Sequence, residues 1–142
     1  MKILTSSTTT TSKVDLSALI LRLVGGSFML YAHGLPKLNN FLSGDEIQFV
    51  SLFGMGASFT LALVVFAELI CALALVLGLF TRWVVIPLIF TMVYAAFIYH
   101  ANDGFGAQEK PILFLAIYVV ILLLGPGKYA LDRALQKRNK TI

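Results

Sequence analysis

Two formal charges, Arg22 and Glu68, stand inside long apolar stretches of a 142-residue chain. Each alone would cost at least about 2.5 to 3.5 kcal/mol near the centre of a membrane helix. Counting about 1.5 Å of rise per residue, Arg22 lies roughly 9 Å from the start of its helix and Glu68 roughly 15 Å from the same-side end of its own, a difference a guanidinium arm can bridge. The spacing therefore predicts an Arg22–Glu68 ion pair facing a bundle interior. Such a pair is either a functional centre or a device that fixes helix register, because buried ion pairs by themselves argue weakly for catalysis.

Arg22, Gly26, Met29 and His33 recur at helical spacing and form one stripe, which Lys37 would extend if the helix continued. Gly25 and Gly26 on or beside it would let a neighbouring helix approach closely. His33 and His100 fall near the same end of their spans. With Lys37, Asp103 and Glu109 they could make a polar cup that hydrogen-bonds a carbonyl head, such as that of a quinone, or moves protons. The competing reading is a pair of interfacial histidines that meet water. Tyr94 and Tyr118 lie near mid-depth in their spans, and Glu68 is the expected acceptor for their hydroxyls. The candidate ligand-binding set is thus His33, Lys37, His100, Tyr94 and Tyr118.

Two histidines without a further signature do not make a haem site, and a metal would need three or four ligands. Cys71 is the single cysteine, which excludes an internal disulfide and a paired-cysteine redox motif. Phosphate-binding glycine loops, Ser-His-Asp sets and zinc-protease motifs are missing, so no residue is named as catalytic and neither metal nor haem is expected.

Composition dictates the scaffold that carries these groups. The chain is 58% hydrophobic and 13% charged, with a mean hydropathy of +0.88. A soluble domain of this size buries only about two thirds of its surface, so this much apolar side chain requires lipid to cover it. Four apolar blocks of helix length, bounded by charge, Gly or Pro, predict an all-α integral membrane protein, an antiparallel four-helix bundle. They run about Leu16–Ala32, Ser58–Leu79, Val84–Tyr99 and Pro111–Leu124. His33-Gly34-Leu35-Pro36-Lys37 reads as the loop that ends the first, and the apolar residues scattered over 38–57 read as an interfacial amphipathic helix. Pro87 is placed in the first turn of the third span. The fourth span is short, which fits either a buried helix or one that leans on a thinner local bilayer.

Residues 1–13 are expected to be a disordered polar tail, 14–133 the four-span domain and 134–142 a basic tail. Lys2, Lys13, Arg82, Lys128, Arg133, Lys137, Arg138 and Lys140 share one face, against Lys37 and Lys110 on the other. The positive-inside rule then puts both termini in the cytoplasm. That clustering after the last span suits anionic headgroups, so nucleic acid is not an expected partner.

Leu21-Arg22-Leu23, His33-Gly34-Leu35-Pro36-Lys37-Leu38, Glu68, Leu77-Gly78-Leu79-Phe80-Thr81-Arg82, His100, Gly125-Pro126-Gly127 and Leu131-Asp132 occur in an order and at helix ends that resemble the DoxX family of small four-helix membrane proteins. The likeness spans about residues 16–133. It implies a bacterial plasma-membrane protein related to the small membrane subunits of thiosulfate:quinone oxidoreductase and to partners of oxidoreductase complexes. By position it carries over Arg22, Glu68, His33, Lys37 and His100 as candidate functional groups. The expectation is a membrane anchor and a quinone pocket serving a partner oxidoreductase. The alternatives are a non-enzymatic lipid or small-solute binding or transport protein, and a proton-coupled carrier titrating at Glu68. A homo-oligomer is open, with the glycine-bearing face of the first helix as one interface.

Overall fold

The structure, a computed structural model, describes residues 10–139, with side chains over 11–136. Four spans long and apolar enough to cross a membrane are present: Thr11–Leu42, Ala57–Leu77, Thr81–Tyr99 and Phe105–Leu124. Most are not uninterrupted α-helix. The first comprises α1 (Thr10–Met29), a π turn (Leu30–Gly34) and α2 (Leu35–Leu42). The second comprises α3 (Ala57–Val65), a π turn (Phe66–Cys71) and α4 (Ala72–Leu77). The third is α5 (Thr81–Tyr94) followed by a π turn (Ala95–Tyr99). The fourth is the regular helix α6 (Phe105–Leu124), and α7 (Leu131–Asn139) comes after it. No strand occurs among the described residues.

Consecutive spans pack as antiparallel neighbours, the last three joined by short connections, and the first and fourth spans also touch, which closes a square bundle. Its core is Met29, Cys71, Ala72, Leu75, Val85, Leu88, Met92, Tyr118 and Ile121. Outward faces remain apolar, with Leu16, Phe28, Phe66, Phe90, Leu113 and Leu123 exposed. A surface of that kind is stable against lipid and not against water. The protein is accordingly a multi-pass membrane protein.

Several sequence expectations are corrected. The first span does not stop at His33. It continues through that segment because Leu35 donates its N–H to the Leu30 carbonyl in a π turn, and Pro36, which has no N–H to give, falls in the first turn of α2. Its start is also earlier, so 10–13 are helical rather than part of a tail, while residues 1–9 lie outside the described residues. Much of 134–142 likewise belongs to α7, with 140–142 outside the description. The amphipathic helix expected over 38–57 is not formed beyond Leu42. Gly44, Gly54 and Gly56 there hold left-handed backbone, φ +76°, +75° and +88°, which no right-handed helix contains. Pro87 and Pro111 both sit inside their helices rather than at the first turn. The fourth span begins at Phe105, so at 20 residues it is not short.

Helices one and two approach closely where glycine permits it. A Cβ on Gly26 would lie 2.6 Å from Val76 Cγ2, and one on Gly34 would lie 2.5 Å from the Glu68 carbonyl oxygen. Gly25 faces the fourth span, where a Cβ would lie 2.9 Å from Ile117 Cγ2. Both Gly25 and Gly26 are buried inside the bundle, so the glycine-bearing face considered for an oligomer is already occupied within one chain.

Candidate functional site

The contact of Gly34 with the Glu68 backbone fixes the register of the first two spans. In antiparallel helices, residues N-terminal to Gly34 then face residues C-terminal to Glu68. Arg22 falls opposite Gly78, about ten residues from Glu68 and so roughly 15 Å from it along the axis. The expected Arg22–Glu68 ion pair is therefore not formed. The depth estimate erred because the first helix begins at Thr10 and runs on to Leu42 without the inferred break. Glu68 instead pairs with Lys37, whose Nζ meets Oε2. Lys37 lies about one turn beyond Gly34, and helical side chains lean toward the N-terminus, which carries its ammonium back to the carboxylate. The pair is asymmetric: the glutamate side chain is 4% exposed and that of the lysine 27%.

Arg22 is buried at 1% exposure, and its three guanidinium nitrogens find no hydrogen-bond partner among the described residues. It packs against Gly78, where any side chain would overlap Nη1.

Around the Glu68–Lys37 pair lies a cavity of about 340 Å³. His33, Lys37, Glu68, Tyr94 and His100 line it, bringing together most of the residues singled out from the sequence. Thr60, Thr91, Tyr99 and Lys110 add polar atoms, and Phe49, Val50, Leu52, Phe90 and Phe114 supply apolar wall. Both histidines thus share one site at one end of the bundle. The His33 ring stands edge-on to Phe114, centroids 5.9 Å apart. His100 Nδ1 is 2.8 Å from Asp103 Oδ2, an interaction that orients the ring. Gln108 donates to the His100 carbonyl at 3.0 Å, anchoring the turn that carries it. Glu109 does not line the cavity, and Asp103 acts only through His100.

Tyr118 is not in the cavity. It stacks behind Phe114, and its hydroxyl donates to the Gly25 carbonyl at 3.1 Å, so Glu68 is not its acceptor. Backbone oxygens of a close-packed glycine helix were invisible as acceptors in the sequence.

Three spans change to π geometry at this level, and each π turn carries or closes on a cavity residue. His33 lies in the first, Glu68 in the second and Tyr99 in the third, where His100 N–H closes the turn on the Ala95 carbonyl at 3.0 Å. π-helix accounts for well under 1% of residues in ordinary proteins and concentrates at functional sites. The inserted residue rotates the next helical turn about the axis, which brings these polar side chains inward.

The segment covering the cavity is irregular but tied down. Leu52 N–H donates to Thr60 Oγ1 at 3.0 Å, Thr60 Oγ1 donates to the Gly56 carbonyl at 2.8 Å, and Gly56 N–H donates to Ser51 Oγ at 2.9 Å. Thr60 and Lys110 were missed as site residues. A threonine inside an apolar span was the available signal for the first.

The arrangement offers ammonium and imidazole donors and a carboxylate acceptor at the polar part of an apolar slot, the combination that orients a lipid-soluble molecule by its head. No group of three or more His, Cys, Asp or Glu among the described residues is placed to hold a metal ion.

Among known proteins, the family model described as DoxX matches residues 17–101. That range carries Arg22, His33, Lys37, Glu68 and His100 and excludes the Gly125-Pro126-Gly127 and Leu131-Asp132 elements. No curated protein and no solved structure matches the chain.

Proposed function

The chain belongs to the DoxX family, and on that premise we propose that its bundle is the membrane subunit of an oxidoreductase system, holding a quinone or similar lipid-soluble molecule in the cavity at Glu68. The observation that supports this reading is the pairing of buried Glu68 with part-exposed Lys37, set with His33 and His100 on the polar side of an otherwise apolar slot. A quinone carbonyl would accept from the Lys37 ammonium or an imidazole N–H, while a quinol hydroxyl would donate to Glu68. The aromatic wall of Phe49, Phe90 and Phe114 suits a planar ring, and the bilayer supplies and receives the tail. Electrons would come from a partner oxidoreductase. In this reading the membrane is a bacterial plasma membrane with both termini on its cytoplasmic side.

A second reading is favoured by the same cavity. Its walls are largely apolar and its ion pair is complete without a ligand, which also fits a non-enzymatic carrier or binder of lipids or small hydrophobic solutes.

The test is binding of a short-tailed quinone to purified protein. His33→Ala and His100→Ala should each weaken it by about tenfold, and Glu68→Gln should weaken binding of the corresponding quinol by a similar factor, the worth of one hydrogen bond to a charged or polar partner. Unchanged affinity in all three removes the assigned site. Purification from native membranes, with mass spectrometry of lipids and proteins, separates the readings: quinone with a dehydrogenase supports the first, lipid alone the second.

A further inference from the structure

We propose that the end of the bundle opposite the cavity carries a second site, a cleft in which Arg82 and Arg133 hold the phosphodiester head of an anionic phospholipid. The cleft, about 590 Å³, lies between the turn joining the second and third spans and the chain beyond the fourth. Phe80, Thr81, Arg82 and Trp83 form one wall, and Pro126, Arg133 and Leu135 belong to the other.

The charges there do not cancel. Neither Arg82 nor Arg133 is in an ion pair among the described residues. Asp132 also lines the cleft, but both of its oxygens are committed. Oδ1 accepts from Phe80 N–H at 2.8 Å, and Oδ2 accepts from Thr81 N–H and Thr81 Oγ1, both at 3.0 Å. This carboxylate keeps its one negative charge, but its oxygens bind the start of α5 and neither cleft guanidinium. Behind the wall, next to Gly78, Arg22 adds a buried positive charge whose guanidinium has no hydrogen-bond partner among the described residues. An anion is the missing complement.

Arg82 also reaches across to the far side of the cleft. Its Nε and Nη2 lie over Gly125, where a Cβ would sit 3.3 and 3.2 Å from them. Gly125 has φ +78° and no side chain to displace the guanidinium. The guanidinium, unpaired at the cleft, has paired donors matched to phosphate oxygens.

The remaining wall selects a lipid over a free anion. Trp83 is 75% exposed and Phe80 67%, at the depth where aromatic rings sit among headgroups. Leu135, Leu77, Ile86 and Leu124 are exposed beside or below them, continuing the cleft into the lipid-facing surface along which acyl chains run.

The experiment uses the full chain in nanodiscs of mixed phosphatidylcholine and phosphatidylglycerol, with native mass spectrometry of the lipid retained after partial delipidation. Wild type should retain phosphatidylglycerol over phosphatidylcholine by about tenfold, given roughly 1 kcal/mol per basic residue at a membrane surface. Arg82→Gln/Arg133→Gln should lose that selection, while Lys137→Gln/Arg138→Gln keeps it. Equal selection in wild type and the Arg82/Arg133 variant overturns the proposal. Loss of selection in the Lys137/Arg138 variant also does so, by showing a diffuse basic surface. Full displacement of phosphatidylglycerol by glycerol phosphate overturns the lipid assignment in favour of a soluble anion. Should the glutamine variant fail to fold, Arg82→Lys/Arg133→Lys retains charge without the paired donors. Its selection should fall several-fold, and undiminished selection contradicts the site.

Discussion

Glu68 and Arg22 share a bundle interior but have opposite surroundings. Glu68 has Lys37, a partly exposed partner able to follow it. Arg22 has burial without a hydrogen bond from its guanidinium. A charge kept in this state costs stability, and replacing buried ions by apolar side chains of similar volume is commonly neutral or stabilising. Arg22→Met should therefore leave the thermal midpoint of the detergent-solubilised protein unchanged or raise it, and a clear fall in the melting curve would show a partner that the guanidinium depends on. Among single residues, the sequence disclosed which ones matter better than whom they meet. Arg22, Glu68, His33, Lys37 and His100 stood out as polar groups in apolar surroundings, and four of them converge on one cavity. The choice between Arg22 and Lys37 as partner of Glu68 depended on helix register, which one residue of error in a boundary displaces by about 1.5 Å.

The helical elements explain that loss of register. Boundaries drawn at charge, Gly and Pro located all four spans, yet His33-Gly34-Leu35-Pro36 carries every sign of a stop and the chain passes through it as helix. A π turn absorbs a proline-bearing segment without ending the span, and residue periodicity does not reveal it because the extra residue shifts the phase only once. Gly34 is where this geometry is most constrained. Gly34→Ala would bring a Cβ within 2.5 Å of a backbone oxygen of Glu68, which cannot rotate away as a side chain could. The substitution should cost about 1–3 kcal/mol by overpacking, read as a lowered unfolding temperature, and should weaken quinone binding by shifting Glu68 from Lys37. At the other end, Asp132→Ala removes three hydrogen bonds from the start of α5. A loss of about 1–2 kcal/mol is expected, and hydrogen exchange should show it as faster exchange at Phe80 and Thr81. The pairing of Asp132 with residues some fifty positions earlier could not be read from either segment alone.

For the molecule in its entirety, the apolar exterior and the four spans were legible because bilayer thickness sets helix length. The connection over 43–56 was not, since Phe49, Val50 and Leu52 line a cavity instead of forming a helix face. Orientation rests on charge distribution and is open to direct measurement. In a Cys71→Ser background, cysteine placed at Phe53 should react with a membrane-impermeant thiol reagent added outside intact cells, and cysteine placed at Gln136 should react only after the membrane is opened. The reverse pattern would invert the assigned topology. The contacts near Asp132 bear on biogenesis. Lys128 N–H reaches Asp15 on the first helix at 2.9 Å, Ala130 packs on Gly78, and Asp132 N–H reaches the Gly78 carbonyl at 3.0 Å. All three ties come from residues translated after the fourth span. While that stretch is still inside the ribosome, the inserted hairpins have no clasp at this end, and chains arrested before it would offer quality-control proteases an unlatched bundle.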